Sequence, residues 1–115
     1  MHELSLAQGL LDQLLVLARK HQAKRITKVT VEIGPFSAVV VDSFRFGFEI
    51  LRTEYSLTSE TELEIIEPNA KYKCQKCGFE TATRNLTDYS CPACSTGLMC
   101  PQGGDELTLI SIEIE

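Results

Sequence analysis

The chain has no run of about 18 apolar residues, so nothing in it reads as a membrane-spanning helix. It also lacks a basic surplus. Its 115 residues carry 11 Lys and Arg against 16 Asp and Glu, a net charge of −5, which argues against nucleic acid as the main partner because phosphate binding needs a basic surface. Glycine-rich phosphate loops, internal repeats and low-complexity tracts are absent. With only two histidines, no serine–histidine–acid set can be assembled. No secretory signal is expected either: acidic Glu3 stands where a basic region should be, and no small-residue cleavage site follows the apolar run. The thiols are therefore expected to stay reduced in a cytoplasm. What remains is one compact unit, or a small core with an attached metal module.

The strongest local signal is four cysteines in two pairs, Cys74-Gln75-Lys76-Cys77 and Cys91-Pro92-Ala93-Cys94. Each C-x-x-C turn aims two thiolates at one point, and two facing turns make a tetrahedral S4 cage suited to zinc, with Zn–S about 2.3 Å. Gly78 after the first pair and Pro92 inside the second fit tight turns. Two disulfides, free buried thiols and iron–sulfur ligation are the alternatives. The first needs an oxidising compartment, and the last commonly uses other spacings. Cys100 falls outside the C-x-x-C pattern and reads as a spare thiol.

Apolar positions at Leu4, Ala7, Leu11, Leu14, Leu15 and Ala18 recur at steps of three and four and predict a helix over 4–20. Ser5 with Gln8 matches a capping box, although a start one turn earlier fits as well, and Arg19, Lys20 and His21 suit the last turn, which makes His21 a solvated residue rather than a ligand. Ile26–Ile33 alternates as a strand stopped by Gly34-Pro35. Residues 36–41 are apolar and read equally as strand extension or packed loop. A second helix capped by Asp42 or Ser43 runs through Leu51, with Phe44, Phe48 and Leu51 on a core face. Residues 53–61 read as a surface loop, Leu63–Glu67 as a strand, and the last eleven residues as a strand whose alternation slips between Leu109 and Ile110, through a bulge or burial on both faces. One strand leads into the cysteine module and another leads out. The expected organisation is thus a sheet domain of residues 1–69 and 104–115 with the module, residues 70–103, inserted in it.

The start, Met1-His2-Glu3, offers a second set of metal donors. If Met1 is retained, its amine, the following amide and the His2 imidazole can close fused chelate rings on one ion, and Glu3 can add an oxygen or another amide nitrogen. Planar nitrogen-rich sets of this kind suit Ni(II) or Cu(II).

Through several motifs in one order, the chain closely resembles the HypA/HybF family of hydrogenase nickel-incorporation proteins over nearly its whole length. The matching residues are Met1-His2-Glu3-Leu4-Ser5-Leu6, Val31-Glu32-Ile33-Gly34, Phe44-Arg45-Phe46-Gly47-Phe48-Glu49, the paired cysteines, Gly104-Asp105-Glu106-Leu107 and Ser111-Ile112-Glu113-Ile114-Glu115. Ala7, where many relatives have cysteine, and the Cys100-Pro101 segment depart from the pattern. The resemblance implies an α+β fold, a small three-stranded sheet packed with two helices (the nickel-binding domain) plus an inserted four-cysteine zinc-ribbon-like module. It implies a nickel metallochaperone without turnover, with nickel held by Met1, His2 and Glu3 and zinc by Cys74, Cys77, Cys91 and Cys94. The expected partners are a GTPase, HypB, and the large subunit of a nickel–iron hydrogenase; monomer and homodimer both stay open. The competing reading is a zinc-ribbon module that binds nucleic acid or protein and has no nickel role, supported by the basic tilt of Lys71, Lys73, Lys76 and Arg84. A redox enzyme built on C-x-x-C fits worst, because no thioredoxin-like pattern surrounds the pairs.

Overall fold

A computed structural model describes residues 2–84 and 86–115. The elements run α1 (His2–Lys20), β1 (Ile26–Ile33), α2 (Val41–Leu51), a 3₁₀ turn (Arg52–Glu54), β2 (Glu62–Ile66), β3 (Ala70–Cys74), β4 (Glu80–Thr83), β5 (Met99–Pro101) and β6 (Leu107–Ile114). They form two three-stranded sheets, ordered β2-β1-β6 and β4-β3-β5. Two compact units result. One gathers the chain through Glu32, then Val39–Ile66 and Thr108–Glu115; the other gathers Ile33–Ala38 and Glu67–Leu107.

In the first unit α1 buries Ala7, Leu10, Leu11, Leu14, Leu15 and Ala18, the stripe its periodicity demands. The helix takes the earlier of the two starts, at His2, so Ser5 lies inside it and is no cap; Gln8 bonds Asp12 Oδ1 instead, at 2.9 Å. The acidic Glu3 in the first turn suits the positive end of the dipole and favours this early start. At the other end Gln22 takes φ +55°, and the Ala23 N–H returns to the Ala18 carbonyl, closing the helix beside an exposed His21.

Strand β1 pairs with β2 in parallel, Val29 opposite Leu63 and Val31 opposite Ile65, with α2 as the crossover. Phe44 and Phe48 are wholly buried, so the phenylalanine stripe is core, as read. Residues 36–40 are loop rather than strand, with Ala38 left-handed at φ +62°, and α2 begins at Val41 with no side-chain cap of its own.

The 53–61 segment departs from a plain surface loop. Thr58 and Thr61 are buried, and their hydroxyls donate to the Arg52 carbonyl (2.8 Å) and the Ile26 carbonyl (2.7 Å). A short polar side chain can be buried when it satisfies a backbone acceptor, which hydropathy alone does not reveal. Arg45 of α2 donates to the Leu63 carbonyl at 3.0 Å on edge strand β2. In β6 the half-buried positions pass from Leu107 and Leu109 to Ile112, leaving Ile110 and Ser111 both exposed. The slip in alternation is therefore real, and the strand is an open edge rather than buried on both faces.

The second unit is an antiparallel sheet, with Tyr72 opposite Thr81 of β4 and Pro101 of β5. Its small core comprises Ala70, Tyr72, Cys74, Cys91 and Met99. Tyr72 makes edge-on contacts with both Phe36 and Tyr89, each at 6.1 Å between ring centres. Here the Gly34 N–H bonds the Glu106 carbonyl (3.0 Å) and the Phe36 N–H bonds the Gly104 carbonyl (2.7 Å).

Candidate metal centres

Cys74 ends β3 and Cys77 follows in the turn; Cys91 and Cys94 form a second turn of the same design. In each, the residue after the second cysteine is left-handed, Gly78 at φ +81° and Ser95 at φ +63°, and its N–H returns to the first cysteine's carbonyl, at 3.1 Å and 2.9 Å. In each, backbone N–H groups point at sulfur. Lys76 and Cys77 donate to Cys74 Sγ at 3.3 and 3.4 Å, Ala93 to Cys91 Sγ at 3.3 Å, and Gly97 to Cys94 Sγ at 3.3 Å. Such donors stabilise thiolate charge.

The turns face each other. One sulfur from each of the four cysteines lies within 4.8 Å of the others, with Cys74–Cys94 at 3.8 Å and Cys77–Cys91 at 3.6 Å. A tetrahedron with metal–sulfur bonds of about 2.3 Å has edges of about 3.8 Å, so the cluster fits a four-coordinate thiophilic ion. The four thiols are free, which sets aside the disulfide reading.

Their acidities are spread. The N–H groups of Thr96 and then Gly97 pull the Cys94 thiol down to about 6. Cys74 is lowered too, chiefly by the Cys77 N–H. For Cys77 the Phe79 N–H works downward, but burial and the neighbouring sulfurs outweigh it and push the thiol up to about 12. Four thiolates so close repel, and a dication between them removes that penalty.

Gly97 is a residue the sequence reading missed. A Cβ there would lie 2.4 Å from Cys74 Sγ and 3.3 Å from Cys94 Sγ, so only glycine lets the second turn close over the first. Its signal was its place three residues after Cys94. Cys100 lies on β5 opposite Lys73 and outside the cluster. Ser95 occupies the position that Gly78 fills in the first turn, and a left-handed non-glycine residue costs about 1 kcal/mol. Ser95→Gly should therefore raise the melting temperature of the metal-loaded protein by a few degrees, and a fall in that temperature would refute this account.

Of the N-terminal candidates, Met1 lies outside the described residues. His2 and Glu3 form the start of α1. The imidazole is 64% exposed and the Glu3 side chain 20%, with His2 Nδ1 3.7 Å from Glu3 Oε2. The Val40 N–H donates to the same oxygen at 3.2 Å, and this bond leads the causes that lower the Glu3 pKa. The first four N–H groups of a helix have no acceptor within it, so the backbone nitrogens of His2 and Glu3 can be given up to a ligand without breaking the helix.

A closed four-thiol cluster on a fold of two helices and two small sheets marks a small α+β metal-binding protein. The family model described as "Hydrogenase/urease nickel incorporation, metallochaperone, hypA" matches residues 1–114. The hydrogenase maturation factor HypA of Caldanaerobacter subterraneus subsp. tengcongensis is 40% identical over 116 residues, and that of Azotobacter chroococcum mcd 1 is 37% identical over 115, each covering 100% of both chains. The solution structure of the Ni metallochaperone HypA from Helicobacter pylori is similar with a TM-score of 0.67 at 29% identity, covering 97% of this chain and 96% of that one. Another HypA solution structure gives 0.77 at 30% identity, over 100% and 97%. The chain belongs to the HypA family, a family of metallochaperones and maturation factors rather than enzymes. No helix among the described residues is long and apolar enough to cross a membrane.

Proposed function

We propose that this protein carries Ni(II) in the cytoplasm and delivers it to the large subunit of a nickel–iron hydrogenase, working with the GTPase HypB. The cargo is bound by the Met1 amine, the backbone and imidazole of His2, and Glu3, in the unit that carries α1 and α2. Zinc is held by Cys74, Cys77, Cys91 and Cys94 in a module of residues 70–103, where it supplies structure. The observation that carries this reading is the start of α1 in a chain of this family: an exposed imidazole beside backbone nitrogens that the helix does not use.

The two sites divide the work by their chemistry. A carrier must release what it binds, and a few donors at a chain terminus allow that. A closed thiolate cage is worth on the order of 10–16 kcal/mol and does not exchange readily. Amine and imidazole donors bind only when unprotonated, so nickel affinity should fall as pH drops from about 8 towards about 6.

Metal analysis after nickel loading tests the assignment on wild type, His2→Ala and a version with residues added before Met1. One zinc per chain is expected in all three, and tight nickel only in wild type. Equal nickel binding by the extended protein, or an isotherm unchanged between those pH values, would overturn the terminal donor set. An N-terminal purification tag should disable nickel transfer for the same reason.

A further inference from the structure

We infer that the Glu3 carboxylate is a positioning group rather than a nickel donor: by accepting the Val40 N–H it fixes the first turn of α1 against the start of α2. This role rests on the terminal nickel site proposed above and concerns how that site is held ready.

Three observations carry it. First, Val40 is the N-cap residue just before α2, and its own side chain makes no capping hydrogen bond. The Val40 N–H instead finds Glu3 Oε2, at 3.2 Å. A carboxylate bonded to a backbone N–H makes a charge-assisted bond, about twice as strong as a neutral one. Second, the two neighbouring side chains differ in freedom. Glu3 is 20% exposed and His2 64%, so the acid packs against the fold while the imidazole, 3.7 Å from the same Glu3 oxygen, faces solvent. Third, the same turn is tied to α2 once more. Leu4 Cδ1 lies 3.3 Å from where a Cβ on Gly47 would stand, with Ala7 Cβ at 3.7 Å, so glycine permits the close packing of the turn on α2.

Donor arithmetic agrees. The Met1 amine, two backbone nitrogens and the His2 imidazole already complete a planar four-donor set, the arrangement nitrogen-rich Ni(II) sites favour. No planar position is left for a carboxylate, and the one at hand is already bonded elsewhere. Its contribution is to hold the two backbone nitrogens in place before the ion arrives, which reduces the ordering that binding must impose.

The bond can be cut from either side. Glu3→Ala removes the acceptor. Val40→Pro removes the donor without touching any proposed nickel ligand, and the backbone at 40, φ −80° and ψ 106°, suits proline. Its carbonyl still accepts from Phe44 N–H. Nickel affinity and the visible absorption band of the nickel complex would be measured for wild type, Glu3→Ala, Glu3→Gln, Val40→Pro and His2→Ala, with circular dichroism and zinc content as checks on folding. The expected result is a loss of about tenfold in Glu3→Ala and Val40→Pro, a smaller loss in Glu3→Gln, whose amide oxygen can still accept, and an unmoved band in all three. A shifted band in Glu3→Ala would make the carboxylate a donor and overturn the inference. Wild-type affinity in Val40→Pro would overturn it as well. If Val40→Pro fails to fold, the band position in Glu3→Ala and the partial rescue in Glu3→Gln decide alone. Undiminished nickel binding by His2→Ala would defeat the terminal site itself, an outcome separate from the others, and the positioning role would fall with it.

Discussion

Cys91→Ser should unfold the second unit while the helices of the first persist. The reason is the size of what remains. Strands β3, β4 and β5 are five, four and three residues long, and the core beneath them has five buried residues. Two of those five, Cys74 and Cys91, are themselves sulfurs of the metal cluster. A core of that size cannot offset the entropy of ordering its chain. A metal held by the four thiolates, worth on the order of 10–16 kcal/mol if it is zinc as proposed, can. Removing one ligand, or stripping the metal with a strong chelator, should abolish amide-exchange protection in β3 and β5. The amides of α1 should stay protected, because that helix buries its own stripe of leucines. Wild-type protection at Tyr72 in the Cys91→Ser protein would show that the metal does not hold the sheet together.

Gly34→Ala should be strongly destabilising, because of the seven glycines it is the one whose added Cβ would come closest to a neighbouring atom. Its Cβ would fall 2.2 Å from the Gly104 carbonyl oxygen and 2.4 Å from the carbon. Both are backbone atoms, so no rotamer change relieves the clash. Gly104 cannot retreat freely: it is left-handed at φ +76°, its Cα face lies against Pro35, and its carbonyl accepts the Phe36 N–H at 2.7 Å. Moving either segment sacrifices that bond or the Gly34–Glu106 bond. A loss of about 3 kcal/mol follows from overpacking of this severity. For a chain of this length, the melting temperature should drop by roughly 10–15 °C. Calorimetry on the zinc-loaded protein would settle it, and a shift of only a degree or two would mean that the two segments can part at little cost.

Much of this architecture is legible because it is local. The four cysteines announce themselves by spacing, and the core faces of α1 and β1 by periods of 3.6 and 2. What escapes a reading along the chain depends on residues that meet only after folding. Nothing near Gly34 says that Gly104 will lie against it. Nothing in the polar run 53–61 says that Thr58 and Thr61 will be buried, because that depends on carbonyls of Arg52 and Ile26 that need donors. Gly97 looks like any turn glycine until the first cysteine turn is placed beneath it. The role of the Glu3 side chain is open in the sequence for the same reason: the Val40 N–H that holds it belongs to the start of another helix.

Arg45 has a consequence beyond the fold. Strand β2 is a free edge of its sheet, and edges of this kind recruit strands from other molecules. Here the guanidinium donates to the Leu63 carbonyl at 3.0 Å, between Glu62 and Glu64, and Glu64 is itself paired with Lys28 Nζ at 2.9 Å. A strand that needed the Leu63 carbonyl would first have to displace this hydrogen bond.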